Sequence, residues 1–300
     1  MAHQHDHGPA SFQRAFLIGI VLNVTFVVVE TIFGFLAGSM ALLADAGHNL
    51  SDVLSLMVAW GANYLASLPP SQRRTYGLRR STILGSLLNA VVLLLAIGAI
   101  AWESIKRFND PAPVAEMEVI IVAAIGVVIN TLSALLFLSG RKSDLNVKGA
   151  FLHMAADAGV SVGVVVAGIA IMQTGFQWID PLTSLVIVLV IAVSSWGLLR
   201  DSTNLALDAV PEGIDPGKVE AYLQELPGVT EVHDLHIWGM STTEAALTAH
   251  LQIPEYRGDD ALLAKISQEL HDKFDIEHAT IQIERGDIDS PCRLASPDVV

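Results

Sequence analysis

The chain has little charge, little aromatic character and almost no sulfur chemistry. One cysteine in 300 residues, Cys292, excludes a disulfide framework and any cysteine-rich metal module. Charged side chains make up only 16% of the chain, where soluble domains carry about 25%. Basic residues are the scarcer sign, 17 Lys and Arg against 31 Asp and Glu, for a net charge of −14. That balance argues against a nucleic-acid partner. No His-Glu-x-x-His, P-loop or Asp-Lys-Thr-Gly occurs. These absences speak against an intramembrane metalloprotease and a nucleotide-driven pump, and no enzyme activity is expected. Disorder, coiled coil and collagen are excluded by composition.

What is present is apolar length. The hydrophobic fraction is 52% and the mean hydropathy is +0.51. A spanning helix needs about 20 mostly apolar residues. Six stretches qualify, roughly 16–35, 41–65, 82–104, 117–138, 147–172 and 179–199. The charge lies almost wholly beyond them. Residues 1–200 hold 11 acidic and 11 basic side chains, while residues 201–300 hold 20 acidic and 6 basic. The expected organisation is a tail over 1–14, a transmembrane domain over 15–200, an acidic domain over 201–286 and a second tail over 287–300.

Lys and Arg bias sets orientation. Arg14, Arg73, Arg74, Arg79, Arg80, Arg141, Lys142, Lys148 and Arg200 fall on one side, and only Lys106 and Arg107 on the other. Both termini are therefore expected in the cytoplasm, with the body in the cytoplasmic (inner) membrane among its lipids. In the acidic part, Asp215-Pro216 signals a helix start. Strands are expected near 229–238, 245–253 and 279–284, with a helix over 259–274. The order αββαβ predicts a small open-faced sandwich. Period-two alternation places Leu247, Ala249, Leu251 and Ile253 on one face of the second strand and His250 on the other.

Ionisable residues inside a membrane are functional hypotheses by default. The second stretch carries Asp45, His48 and Asp52, and the fifth carries His153 and Asp157. His48-Asn-Leu-Ser-Asp52 and His153-Met-Ala-Ala-Asp157 repeat one spacing, which puts each pair on one helical face. Two imidazoles and two carboxylates suit tetrahedral Zn²⁺ and offset its charge. An interhelical hydrogen-bond network is the alternative use of the same groups. Metal must displace protons from such a site, because His has to be neutral and Asp ionised. That competition can couple metal to protons. Asp45, one turn before His48, is open to a role supporting the ligands or to a helix-mouth or packing role, and Glu30 to a pathway or a packing role. His3, His5 and His7 form a short tract that either collects metal or has no required role.

At these residues the chain resembles the cation diffusion facilitators, in their zinc-transporting branch, from about residue 16 to 284. The signature Gly38-Ser-Met-Ala-Leu-Leu-Ala-Asp-Ala-Gly-His-Asn-Leu-Ser-Asp52 matches the family's second span. Leu145-Asn-Val-Lys-Gly-Ala-Phe-Leu-His-Met-Ala-Ala-Asp157 matches its fifth. Asp180-Pro181 and Val232-His-Asp-Leu-His-Ile-Trp238 also fit. The resemblance implies six transmembrane helices, a homodimer and a metallochaperone-like cytoplasmic αββαβ domain. It implies proton-coupled export of Zn²⁺, with Cd²⁺ or Co²⁺ as possible cargo, and no organic cofactor. His48, Asp52, His153 and Asp157 carry over as the transport site. His233, His250 and Glu284 carry over as a cytoplasmic regulatory site. Strand parity favours His236 over His233, since Leu235 and Ile237 read as inward. The loop 71–80 has neither His nor Asp and holds four arginines, so no metal is expected there and contact with lipid headgroups is. A membrane zinc sensor that binds without translocating is the alternative function, and a metal-gated channel is a third.

Overall fold

The computed structural model describes residues 10–136, 145–258 and 260–286. His3, His5, His7, Arg141, Lys142 and Cys292 lie outside the described residues. Eleven elements follow in order: α1 (Ala10–Ala37), α2 (Met40–Ala66), α3 (Ser81–Asn109), α4 (Glu116–Leu136), α5 (Leu145–Thr174), α6 (Ile179–Ala206), α7 (Pro216–Gln224), β1 (Glu231–Gly239), β2 (Ala245–Gln252), α8 (Asp260–Phe274) and β3 (Ile276–Glu284). They form two compact units, residues 1–57 with 89–197, and residues 58–88 with 198–300.

The first unit is helical. Among the described residues, four helices are long and apolar enough to cross a membrane, at Ser81–Phe108, Glu116–Leu135, Phe151–Thr174 and Ile179–Ala206. The described part of α1 adds a shorter apolar segment, Asn23–Ala37. Helix α2 is less apolar because Asp45, His48, Asn49, Ser51 and Asp52 fall inside it. Sequence explains the α1–α2 junction. Gly38 adopts a left-handed φ of 65°, the conformation that ends helices at glycine. Ser39 then caps α2, its Oγ accepting from Leu42 N at 3.1 Å. Small and branched residues close the core, with Ala37, Ala41, Ala44, Ala123, Val119 and Val164 buried together. Outward faces stay apolar: Leu95, Trp102, Leu132, Leu189 and Val193 are all exposed, as a lipid-facing surface requires.

In the second unit, Asp215 caps α7 by accepting from Gly217 N and Lys218 N, with Pro216 in the first turn. The sheet order is β1-β2-β3. β1 and β2 are antiparallel, while β2 and β3 are parallel and joined through α8, as a parallel pair needs a crossover. β2 is central, so one of its faces is wholly buried: Leu247, Ala249 and Leu251 pack with Leu223 of α7 and with Ile266 and Leu270 of α8. Each fully buried Leu or Ile there contributes about 1.5–3 kcal/mol. The opposite face keeps its polar residues, His250 among them.

The register of β1 slips once. His233 pairs with His250 and His236 with Thr248, so three steps on β1 match two on β2. The extra residue is a bulge, and Asp234 sits there at φ 51°, a conformation Asp tolerates better than most side chains.

The loop before α3 finds partners within the protein. Arg79 pairs with Glu244 at 2.7 Å and Arg80 with Asp208. Two of the loop's four guanidinium groups thus meet carboxylates of the acidic region. Thr82 Oγ1 accepts from Thr242 N at 3.0 Å beside them.

Candidate metal centre

Helices α2 and α5 bring their His-x-x-x-Asp pairs face to face. His48 Nε2 lies 3.1 Å from Asp157 Oδ1. His153 Nε2 lies 3.2 Å from Asp52 Oδ2 and 3.7 Å from Asp157 Oδ2. The two imidazole rings stand edge to face, 6.1 Å between centroids. One ligand atom each from His48, Asp52 and Asp157 falls within 4.8 Å of the others, a spacing that one ion can bridge. His153 adjoins that trio through both carboxylates but is more open, its side chain 42% exposed against 2% for Asp157. The pairs cross between helices: each histidine faces the other helix's aspartate.

A second polar layer lies behind the cluster, fully inside the helices. Glu30 of α1 and Asp45 of α2 are both 0% exposed. Asn49 donates to Glu30 Oε2 at 3.0 Å. Ser161 of α5 donates to Asp45 Oδ2 at 2.8 Å. The remaining oxygens, Glu30 Oε1 and Asp45 Oδ1, have no donor. Gly126 of α4 makes room here, since a Cβ on it would meet Phe26 at 2.6 Å and Ser161 Oγ at 3.2 Å.

The start of α2 is fixed from a distance. Asp180, buried at the head of α6, accepts from Ser39 Oγ at 2.5 Å, Met40 N at 2.6 Å and Ala41 N at 3.3 Å. A carboxylate at a helix N-terminus satisfies orphan amides and complements the dipole. Arg107 of α3 donates to the carbonyl of Gly38 at 2.5 Å. Sequence marked Asp180 only through Asp180-Pro181. Its partners are 139 to 141 residues away, so no local pattern named them.

The sheet carries another cluster. His233 Nε2 lies 3.4 Å from Glu284 Oε2, and His250 Nδ1 lies 3.1 Å from Glu284 Oε1. The His233 and His250 rings are 5.3 Å apart, edge to face. One ligand atom from each of the three lies within 4.8 Å of the others. His236 stands apart, its Nε2 2.9 Å from Asp234 Oδ1 and its side chain 43% exposed. Parity reasoning fails at this point because the bulge at Asp234 shifts the alternation by one residue. Asp234 also reaches His250 Nε2 at 3.3 Å, a contact that strand alternation did not reveal.

A helical membrane body with a half-buried His–Asp cluster, followed by an α/β domain with a His–Glu cluster, is the make-up of a membrane protein that handles divalent cations. The cation efflux transmembrane domain matches residues 16–205, and the cytoplasmic domain of cation efflux proteins matches residues 211–286. The chain belongs to the cation efflux, or cation diffusion facilitator, family. The zinc transporter ZitB of Escherichia coli is 37% identical over 302 residues, covering 98% of this chain and 96% of the relative. The metal cation efflux protein CzcD of Cupriavidus metallidurans is 36% identical over 98% of this chain and 92% of its own length. A cadmium, cobalt and zinc/H⁺-K⁺ antiporter of Bacillus velezensis is 36% identical, with 95% and 92% covered. These relatives fall in the family's zinc-transporting branch. The solved metal-bound C-terminal domain of CzcD is 40% identical over 24% of this chain and 99% of that domain, with a TM-score of 0.22. The chain is an integral membrane protein of a family of transporters, not an enzyme.

Proposed function

We propose that this protein exports Zn²⁺ from the cytoplasm in exchange for protons, with Cd²⁺ and Co²⁺ as further cargo. The observation that carries the reading is the crossed pairing of His48 with Asp157 and His153 with Asp52. The nitrogens that would bind metal are the ones held against carboxylates. A proton on each Nε2 completes a charge-assisted hydrogen bond, and a dication between the same atoms replaces both. Metal and proton thus occupy one set of donors alternately, which is the requirement of an antiporter.

In this reading His48, Asp52, His153 and Asp157 are the transport site, alternately open to each side of the inner membrane. Residues 15–200 are the transport domain, crossing six times with α1 and α2 included, and both termini are cytoplasmic. Residues 201–286 form a metallochaperone-like αββαβ domain, with short tails at 1–14 and 287–300. His233, His250 and Glu284 hold a regulatory Zn²⁺, and the protein works as a homodimer. The names of two of the relatives support zinc as cargo, and one of these names proton antiport.

The test is zinc flux into proteoliposomes under an imposed pH gradient, for wild type and Asp157→Ala. Gradient-dependent flux is expected, and Asp157→Ala is expected to abolish it. Zinc binding by wild type with no flux in either gradient direction would overturn the reading and leave a membrane sensor.

A further inference from the structure

Behind the four-residue cluster, two acidic side chains are buried together without a cation. Glu30 and Asp45 are both fully buried, and Asn49, one turn after Asp45 on the same face of α2, donates to Glu30 at 3.0 Å, which brings the two carboxyl groups into one buried layer. Each already accepts one hydrogen bond on its far oxygen, from Asn49 and from Ser161 respectively. Each has one oxygen left without a donor, Glu30 Oε1 and Asp45 Oδ1. Two ionised carboxylates in contact, away from water, repel each other and strand both of those oxygens. A single proton between them removes the repulsion and gives both oxygens a partner.

Among the described residues, no basic side chain outside the His–Asp cluster takes that role. Apart from Glu30, α1 carries only Arg14, four turns away along the helix. Helix α4, which packs on α1, holds no titratable residue after Glu118. The other titratable groups at this level are His48 and Asp52 of α2 and His153 and Asp157 of α5. All four belong to the cluster itself.

We propose that Glu30 and Asp45 share one proton, that they form a proton site distinct from the four metal ligands, and that the proton leaves when a divalent cation enters the ligand site. The inference rests on the antiport reading above. Asp45 lies one helical turn from His48, so a dication at the ligands sits close to the pair across a medium of weak screening. Its field favours the doubly ionised pair over the shared-proton form. The step balances simply: the O–H bond of the pair breaks, the proton passes to water, and the second carboxylate charge offsets part of the charge of the arriving cation.

The test is a proton count. The full-length protein in detergent, weakly buffered near neutral pH with an indicator dye, is titrated with zinc chloride, while bound zinc is measured by equilibrium dialysis. Glu30→Gln keeps the shape of the protonated acid, and its amide can donate to Asp45. It is expected to bind as much zinc as wild type and, at equal loading, to release about one proton fewer per chain. Asp45→Asn is expected to give the same deficit, which covers the case in which one variant fails to fold. Equal proton release at equal zinc binding in a folded variant would overturn the shared-proton site. Absence of gradient-driven flux in wild type would instead overturn the antiport reading, whatever the proton count.

Discussion

At the scale of single residues, the most consequential contact among helix ends is made by Asp180. Its carboxylate serves three donors at the head of α2, all buried. Truncation leaves Ser39 Oγ and two amides without their acceptor. Asp180→Ala should therefore destabilise the protein by about 2–4 kcal/mol, and Asp180→Asn by less, since one oxygen remains. Thermal unfolding in detergent checks this, and a midpoint for Asp180→Ala within about 1 °C of wild type would remove the clamp from the account. The sequence signalled the ligand pairs far better than it signalled this clamp. An i, i+4 repeat is local, so helical geometry alone puts His48 with Asp52 and His153 with Asp157 on common faces. A carboxylate that serves another helix 140 residues away leaves no periodic trace. The crossing of the pairs, His48 to Asp157 and His153 to Asp52, was likewise invisible, because it depends on the rotation of α2 against α5.

At the scale of elements, glycine positions separate tight crossings from open faces. Gly126 lies where α1, α4 and α5 meet, and Phe26 opposite it is only 3% exposed, with little room to swing away. Gly126→Ala should cost about 1–3 kcal/mol by overpacking and should push Ser161 off Asp45. Gly98 has open space around the same added carbon, so Gly98→Ala should be neutral or slightly stabilising through helix propensity. Comparing the two unfolding midpoints tests the crossing, and equal values would contradict it. Strands were legible in position and less so in phase. The alternation of β2 was readable because β2 is central and regular. β1 was not, because one residue in the left-handed region reverses which side chains share a face. Asp234 is the residue that turns His233, and not His236, toward Glu284.

For the whole molecule, the two clusters are separate in sequence and lie in different compact units. They should load independently. Equilibrium dialysis of the full chain is expected to give two zinc ions per wild-type chain and one for His250→Ala, with transport-site binding retained. An unchanged stoichiometry for His250→Ala would exclude the sheet cluster as a metal site. The uneven distribution of charge was plain from the sequence, but where the basic loop finds its partners was not. Arg79 and Arg80 read as headgroup ligands by composition, while Glu244 and Asp208 offer fixed carboxylates that a string of residues does not place beside them.

The clamp on Ser39 and Met40 has a mechanical corollary. A rod held at one end turns about that end, and displacement along it grows with distance from the fulcrum. His48 is eight residues beyond Met40 and Asp52 twelve, about 12 and 18 Å along the axis, whereas the end at Ala66 is about 39 Å away. A swing that carries Ala66 through about 6 Å therefore moves His48 by about 2 Å and Asp52 by less than 3 Å. His48 and Asp52 sit in the nearer half of the lever, where a large excursion at the far end becomes a small displacement of their side chains.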